Sequence, residues 1–235
     1  MFWALARIEA SIRRHSKVGN PEFFQREQFP WLEPFERDWS AIRQELLPIL
    51  EQRSALPAFQ EISPEVGYIT DDRNWKTFML LGYGAASDRN LARCPQTARA
   101  LQRIPGLITA FFSILEPGKR LPPHRGPYNG VLRLHLPLIV PKPAERCWIR
   151  VGSSIRHWNE GESLVFDDAY PHEVHNDTSG VRVVLFIDFL RPCRQPLHSI
   201  NRAVIALARW SPLVRRAERL QREWEQRIYD RHEPL

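Results

Sequence analysis

The sequence predicts a mainly β fold with flanking helices, organised as an antiparallel sandwich or jelly roll. From Leu107 onward, short runs rich in β-branched and aromatic residues follow one another, and no helical periodicity separates them. Turn sequences such as Glu116-Pro117-Gly118 stand between these runs. Strands that succeed each other without a crossover helix pair antiparallel. The predicted strands cover residues 107–115, 131–140, 148–151, 163–166 and 181–190.

Helices are predicted before this β region. Apolar residues Ile42 and Leu46 recur at helical spacing after Trp39. That helix is expected to end near Pro48, because proline disrupts a helix interior. A second helix is predicted over residues 95–104, where proline occupies the first helical position. These helices are expected to pack against the sheet.

The chain is expected to form one domain with three segments. Residues 1–106 are predicted to be helical or irregular, residues 107–195 to form the β core, and residues 196–235 to form a basic helical extension. In the extension, an apolar stripe is followed by a break at Pro212 and by a charged helix over residues 214–229. The stripe consists of Ile200, Val204 and Leu207.

Composition indicates a protein with a hydrophobic core and reduced cysteines. Hydrophobic residues make up 43% of the 235 residues, enough to form a core without disulfides or structural zinc. Cys94, Cys147 and Cys193 are isolated from one another, which is typical of free thiols in a reducing compartment. The sequence contains no run of about 18 apolar residues, so no transmembrane helix is predicted. The first 16 residues lack the continuous apolar stretch of a signal peptide. The expected location is therefore the cytoplasm.

A net charge of +6 favours anionic partners. The basic charge is partly concentrated at the two ends of the chain, which also carry tryptophans. These ends are interpreted first as helices packed on the outside of the β core and, alternatively, as peripheral contacts with the inner membrane. The sequence has neither a helix-turn-helix pattern nor basic strands interleaved with aromatic residues, so no nucleic-acid partner is expected.

Two histidines are candidate metal ligands. His124 lies in the proline-rich stretch 121–128, and His172 lies 48 positions later in a polar stretch after a predicted strand. Neutral imidazole is a good ligand for a divalent transition metal, and a rigid loop holds such a ligand in place. Asp168, with Asp167, is close enough in sequence to orient His172 or a metal-bound water. His175 is the competing ligand, but in a strand it points away from His172.

An arginine ten positions after His172 is the candidate anion-binding residue. Arg182 alternates with Val184 and Phe186 on one strand face, so its side chain enters the interior if that face is inward. A buried arginine requires an anion, either a carboxylate ligand or an interior acidic side chain. The remaining polar positions expected in the same interior are Ser113, Arg133 and His135.

These candidates lie within a series of short motifs that extends over residues 113–192. A fainter series extends back through Trp39, Trp75 and Cys94-Pro95. The motifs are Phe112-Ser113-Ile114-Leu115 with Pro117-Gly118, His124-x-Gly126-Pro127, Leu132-Arg133-x-His135-Leu136, Phe166-Asp167-Asp168-x-Tyr170-x-His172-Glu173-Val174, Arg182, Asp188 and Pro192.

Together, these motifs resemble the aspartyl/asparaginyl β-hydroxylases, a branch of the Fe(II)/2-oxoglutarate-dependent dioxygenases. The resemblance implies a double-stranded β-helix, the cupin-like jelly roll. It implies that His124 and His172 alone hold iron, because Gly126 stands where most relatives of the wider superfamily carry an aspartate or glutamate ligand, and that a water completes this face of the metal. It also implies that Asp168 supports catalysis. Ser113, Arg133, His135 and Arg182 would hold the co-substrate 2-oxoglutarate, and O2 would be the oxidant.

The resemblance favours the first of three functions and leaves the other two as alternatives. The first is hydroxylation of the β-carbon of an aspartyl or asparaginyl residue, in a peptide or a small molecule. The second is hydroxylation of an acyl chain of a lipid A precursor, because a related branch shares the His124-Arg125-x-Pro127-Tyr128-x-Gly130 turn. The third is a non-oxidative cupin-type protein that uses the same histidines to bind a metal.

Overall fold

Two antiparallel sheets face each other in the computed structural model, which describes residues 2–230 and, from residue 5 onward, their side chains. The larger sheet has the strand order β2-β1-β3-β10-β5-β8, and the smaller sheet has the order β4-β9-β6-β7. The strands are β1 Trp75–Gly82, β2 Ala85–Ala86, β3 Leu107–Leu115, β4 Arg120–His124, β5 Val131–Ile139, β6 Cys147–Val151, β7 Ser154–His157, β8 Leu164–Phe166, β9 His172–Asn176 and β10 Arg182–Leu190.

The register of the larger sheet sets which side chains enter the space between the sheets. On β10, Val184 lies opposite Ser113 of β3, and Phe186 lies opposite both Phe111 and His135. Because side chains alternate along a strand, Arg182 shares the face of Val184 and Phe186. Arg182 is 1% exposed, so the predicted inward direction of this face is confirmed.

Apolar side chains from both sheets pack together in this interior and exclude water from it. Phe111 and Phe186 stack with ring centroids 4.3 Å apart. The buried members of this inter-sheet core are Ile69, Trp75, Phe111, Leu115, Leu121, Cys147, Ile149, Val151, Trp158, Phe166, Val174, Val184 and Phe186.

Helices cover the outer face of the larger sheet. Trp39 donates its indole N–H to the Pro137 carbonyl at 2.9 Å, and Arg43 Nε donates to the Leu138 carbonyl at 3.1 Å. A second core, which includes Leu46 and Leu134, lies between these helices and the sheet. The α-helices are α1 Phe2–Arg14, α2 Leu32–Glu36, α3 Trp39–Glu51, α4 Phe59–Ile62, α5 Asp88–Arg93, α6 Pro95–Leu101, α7 Leu197–Ala208 and α8 Pro212–Tyr229.

The mainly β class with flanking helices is confirmed, and each predicted strand is present within one residue at either end. Strand β1 lies within residues 1–106, which were predicted to be helical or irregular, and this expectation was wrong for residues 75–82. Helices cover one face of β1 and the inter-sheet core covers the other, so its sequence shows no apolar–polar alternation. The prolines of β4 are tolerated because β4 is an edge strand.

The expected end of α3 near Pro48 was also wrong, since the helix continues to Glu51. Pro48 removes one backbone donor but lies in the last turn, so little of the helix depends on that hydrogen bond. The turn that begins at Pro48 places Ile49 in the core at 3% exposure, and this burial offsets the cost of the missing hydrogen bond.

The break at Pro212 is confirmed: α7 ends at Ala208, and the Ser211 hydroxyl caps α8 by accepting from Val214 N at 3.3 Å. Glu225 near the end of α8 accepts a 2.6 Å hydrogen bond from the Ser87 hydroxyl, which ties this helix to the body of the protein. Met1 and residues 231–235 of the predicted termini lie outside the described residues. None of the described helices combines the length and apolar character that a membrane crossing requires.

Candidate active site

His124 and His172 meet where two strands of the smaller sheet pair. They are register partners on β4 and β9, and their ring centroids lie 4.2 Å apart. His175 is three residues further along β9 and stacks on Trp148 at 4.0 Å, on the opposite face of the sheet. The structure therefore brings together the two predicted ligands and excludes the competitor.

Backbone carbonyls fix the orientation of both rings. Nδ1 of His124 lies 2.7 Å from the Pro122 carbonyl oxygen, and Nδ1 of His172 lies 3.0 Å from the Tyr170 carbonyl oxygen. A carbonyl can only accept, so each Nδ1 carries the proton and each Nε2 keeps a free lone pair. Burial lowers the pKa of His124 to about 4 and lowers the pKa of His172 well below its ordinary value. Both rings are thus neutral at neutral pH, which is the form that binds a metal.

The carboxylate of Asp168 occupies the space in front of Gly126. A Cβ atom at position 126 would lie 1.9 Å from Asp168 Oδ2, and Gly126 N donates to the Asp168 carbonyl at 2.8 Å. Burial raises the pKa of the Asp168 carboxyl to about 7, against the opposing effect of Arg133. Within the part of the chain that the structure describes, no three His, Cys, Asp or Glu side chains are grouped as a metal site.

Asp167 and Asp168 were predicted to orient His172, but in the structure their side chains pair with arginines instead. The His172 ring is oriented by a backbone carbonyl instead. Asp168 forms an ion pair with Arg133 at 3.0 Å, and Asp167 forms one with Arg191 at 2.7 Å. Both carboxylates lie in the buried interior beside arginines, and a buried acid is stable only with such a partner.

The guanidinium charge of Arg133 is also matched by acidic side chains. Its Nε and NH2 atoms lie 2.9 and 3.1 Å from the two carboxylate oxygens of Asp188, in addition to the contact with Asp168. Burial opposes the charge, but the attraction of Asp188 and Asp168 outweighs it and raises the pKa of the guanidinium. Arg133 therefore borders the site as part of an ion-pair network.

Arg182 is a buried cation of a different kind. Its guanidinium lies over the Trp158 ring at 4.2 Å, and its Nε has no hydrogen-bond partner among the described residues. Burial lowers the pKa of Arg182 to about 10, so the side chain remains charged at neutral pH. A desolvated cation with an unmatched donor is costly unless a ligand supplies the acceptor.

His135 and Ser113 add further polar groups to the same interior. Both ring nitrogens of His135 lack partners within residues 2–230, and burial, followed by the nearby charge of Arg182, lowers its pKa well below the ordinary value. The Ser113 hydroxyl accepts from Trp75 Nε1 at 3.0 Å and keeps its own proton to donate. Arg182, His135 and Ser113 thus form a buried set of donors without a matching acceptor.

A cavity of about 940 Å³ opens beside His124. His124, Arg133 and Phe186 line its inner end, whereas residues of α8 such as Val214 and Ala217 line its far wall. The contribution of α8 could not be predicted from the sequence, because helical periodicity does not specify what a helix faces. The apolar lining residues are Phe59, Ile62, Val66, Ile69, Trp75, Met79, Phe111, Phe186, Leu213, Val214 and Ala217.

Sequence reasoning gave no role to Trp158 and used Asp188 only as part of a motif. Trp158 lies under Arg182, and Asp188 holds Arg133. Asp188 could have been found from strand alternation, because it follows Phe186 by two positions on the inward face. Nothing in the sequence around Trp158 indicates its partner, since the tryptophan lies in the loop between β7 and β8.

Comparisons with known proteins identify the family that the chain matches. The family model for aspartyl/asparaginyl beta-hydroxylase matches residues 36–192. An ornithine lipid ester-linked acyl 2-hydroxylase from Rhizobium tropici is 50% identical over 225 residues, which cover 96% of this chain and 80% of that protein. The human aspartyl/asparaginyl beta-hydroxylase is 34% identical over 164 residues, 67% of this chain but only 20% of that protein.

Among solved structures, the chain is similar to a cupin 2 conserved barrel domain protein from Salinispora arenicola. The two are 10% identical with a TM-score of 0.34, and the match covers 58% of this chain and 89% of that one.

Proposed function

Because the chain belongs to the aspartyl/asparaginyl beta-hydroxylase family, we propose that it uses Fe(II), 2-oxoglutarate and O2 to hydroxylate the acyl chain of a lipid. The observation that carries this proposal is the apolar cavity of about 940 Å³ that begins at His124 and extends to α8. A largely apolar cavity of this size suits a flexible aliphatic substrate, because burial of its methylene groups drives binding.

The two histidines fit a ferrous ion. Each presents a neutral Nε2, and each is held by a carbonyl at its other nitrogen, which is the usual arrangement around metal-bound histidine. Position 126 offers no side-chain ligand, and the Asp168 carboxylate beside it is held by Arg133. His124 and His172 would therefore hold the metal, and Asp168, whose carboxylate lies in front of Gly126, would serve as a hydrogen-bond acceptor in its surroundings.

The unmatched donors fit 2-oxoglutarate. The buried guanidinium of Arg182 would receive a carboxylate of the oxo acid, and Ser113 and His135 would donate to it from the neighbouring strands. When bound, iron and 2-oxoglutarate would use O2 to convert a C–H bond of the substrate to C–OH. The inter-sheet core around Phe111 and Phe186 keeps bulk water away from this interior.

An acyl chain accounts for the cavity better than an aspartyl side chain does. The charge of Arg133 is already satisfied by Asp188 and Asp168, so this arginine does not offer a free cation to a carboxylate substrate. The apolar side chains contributed by Ile62, Val66 and Leu213 instead match a hydrocarbon. The 50% identity to an enzyme named for ester-linked acyl hydroxylation supports the same substrate class.

An aspartyl or asparaginyl side chain is the second candidate substrate. The specific observation in its favour is Arg209, an exposed cation that lines the outer part of the cavity and could pair with a carboxylate. The family description and the human relative's name point in the same direction.

The test is succinate release from 2-oxoglutarate by the anaerobically iron-loaded protein after exposure to O2. Ester-linked acyl lipids with different headgroups, including lipid A precursors, are compared with aspartyl peptides, and ¹⁸O2 labelling identifies the hydroxylated product. Stimulation by acyl lipids with label in the acyl chain is the expected result. Stimulation by aspartyl peptides alone would replace the acyl proposal with the second candidate. Absence of both iron and 2-oxoglutarate binding would favour a non-oxidative metal-binding protein.

A further inference from the structure

The junction between α7 and α8 exposes apolar side chains. Leu207 is 70% exposed, Trp210 is 65% exposed and Leu213 is 50% exposed, all within seven consecutive residues. The predicted apolar stripe of α7 is also not its buried face, because Ile200 is 39% exposed whereas Asn201 is fully buried. We call Leu207, Trp210 and Leu213, with the arginines described next, the basic corner.

The charge around these side chains has one sign. Residues 189–217 contain six arginines and no aspartate or glutamate. Arg202, Arg209, Arg215 and Arg216 are all exposed, and Arg215 lies over the Trp210 ring at 5.1 Å. The next acidic residue, Glu218, marks where the mixed charge of the rest of α8 begins. An apolar tip on an arginine-rich segment that contains no acidic residue combines the two properties that attract a protein to anionic lipid.

The basic corner is continuous with the mouth of the cavity. Leu213 and Arg209 belong to the corner and also line the cavity that contains His124. Tyr68, on the short 3₁₀ helix Pro64–Tyr68, lines the same cavity and is 72% exposed. The rim is therefore apolar on two elements, and on the α8 side it continues directly into the exposed apolar tip.

We infer that the basic corner docks the protein on an anionic bilayer surface, with Leu207 and Trp210 inserted among the acyl chains and the arginines on lipid phosphates. This inference rests on the proposed function in one respect, namely that the cavity receives an acyl chain, which would then pass from the bilayer without crossing water. A second copy of the chain suits this surface poorly, because a two-fold contact would place arginine against arginine.

The test measures sedimentation of the full chain with phosphatidylcholine vesicles that do or do not contain phosphatidylglycerol. Leu207→Ser combined with Trp210→Ser removes the exposed tip and touches no residue of the cavity lining. The matched control is Ile155→Ser. Ile155 is 48% exposed and lies on β7 of the smaller sheet, outside the basic corner. The expected result is vesicle binding that requires the anionic lipid, weakens with salt, falls about tenfold in the double variant and is unchanged in the control.

Several outcomes would overturn the inference. These are no binding of the wild-type chain to anionic vesicles, equal binding by the double variant, or equal loss in the control. A wild-type dimer that the double variant loses, without any vesicle binding, would assign the surface to a second copy. Hydroxylation of detergent-dispersed lipid is measured separately, so that a failure of the proposed function with vesicle binding intact leaves the docking inference standing.

Discussion

Two buried arginines on the same stretch of chain should respond in opposite ways to removal of their charge. Arg182 and Arg191 are 1% and 0% exposed, but only Arg191 has a carboxylate partner, Asp167 at 2.7 Å. Methionine has a similar shape and no charge, so Arg182→Met and Arg191→Met replace each guanidinium without leaving a large cavity. The comparison separates a cation held for a ligand from a cation held by the fold.

The magnitude for Arg182 follows from its burial. Lowering its pKa from 12.5 to about 10 corresponds to roughly 3 kcal/mol against the charged form. The unfolded chain binds this proton more tightly, so the full cost is present at every pH below about 10. The contact with Trp158 returns about 1–2 kcal/mol. Arg182→Met should therefore stabilise the ligand-free protein by about 1–2 kcal/mol, which raises the melting temperature by about 2–8 °C.

Arg191→Met should destabilise the ligand-free protein. It leaves the fully buried Asp167 carboxylate without its cation, which costs about 3–5 kcal/mol. By contrast, Arg182→Met should weaken 2-oxoglutarate binding by about 1.5–3 kcal/mol, the value of a charge-assisted hydrogen bond, or roughly 10-fold to 150-fold.

The assays are thermal unfolding monitored by circular dichroism and titration calorimetry with 2-oxoglutarate. Arg182→Met should melt above the wild type without ligand and gain less from added 2-oxoglutarate. An Arg182→Met protein that melts well below the wild type and still binds 2-oxoglutarate normally would refute the reasoning, because Arg182 would then be a structural residue.

Three further predictions concern the metal, the space beside it and the cavity. His124→Ala and His172→Ala should each abolish stoichiometric Fe(II) binding by metal analysis with an unchanged circular dichroism spectrum; full iron content in both would remove them as ligands. Gly126→Ala should lower the free energy of unfolding by about 1–3 kcal/mol in urea titration, because its Cβ overlaps a buried carboxylate. Gly67→Ala, with open space around its Cβ, should change it by about 0.5 kcal/mol or less, and equal effects would contradict the overlap. Ala217→Phe should narrow the cavity and reduce turnover of lipids with long acyl chains more than of lipids with short ones. An equal loss for all acyl-chain lengths would show that the acyl chain does not bind in this cavity.

The fold class and family could be predicted because local chemistry carries both. Strand-forming runs between turn residues fix where β3, β5 and β10 lie, and the motifs around His124 and His172 are short enough to be recognised in one chain. Both predictions are confirmed by the strand pairing and by the family match over residues 36–192. The cytoplasmic location, the three-segment division of the chain and the absence of a nucleic-acid partner stay predictions.

Alternation along strands predicted which polar residues enter the interior, but not which of them pair with each other. Arg133 and Arg182 both point inward, and both were predicted to bind the co-substrate. Only the register of β5 against β10 places Asp188 beside Arg133, and among the described residues no acid forms an ion pair with Arg182. Which side chains pair depends on which strands become neighbours, and strand pairing joins segments that are far apart in the sequence.

The sequence by itself determined the chemistry that is available: two histidines, an inward arginine and a glycine where a ligand could have stood. It determined this because side-chain type and strand period are local properties of the chain. Only the tertiary structure decided that the Asp168 carboxylate fills the space at Gly126, that no acid of residues 5–230 pairs with Arg182, and that α8 forms a wall of the cavity. Those features arise from packing between distant segments, and the direction in which a helix or carboxylate finally faces is set by the neighbours that exclude water from it.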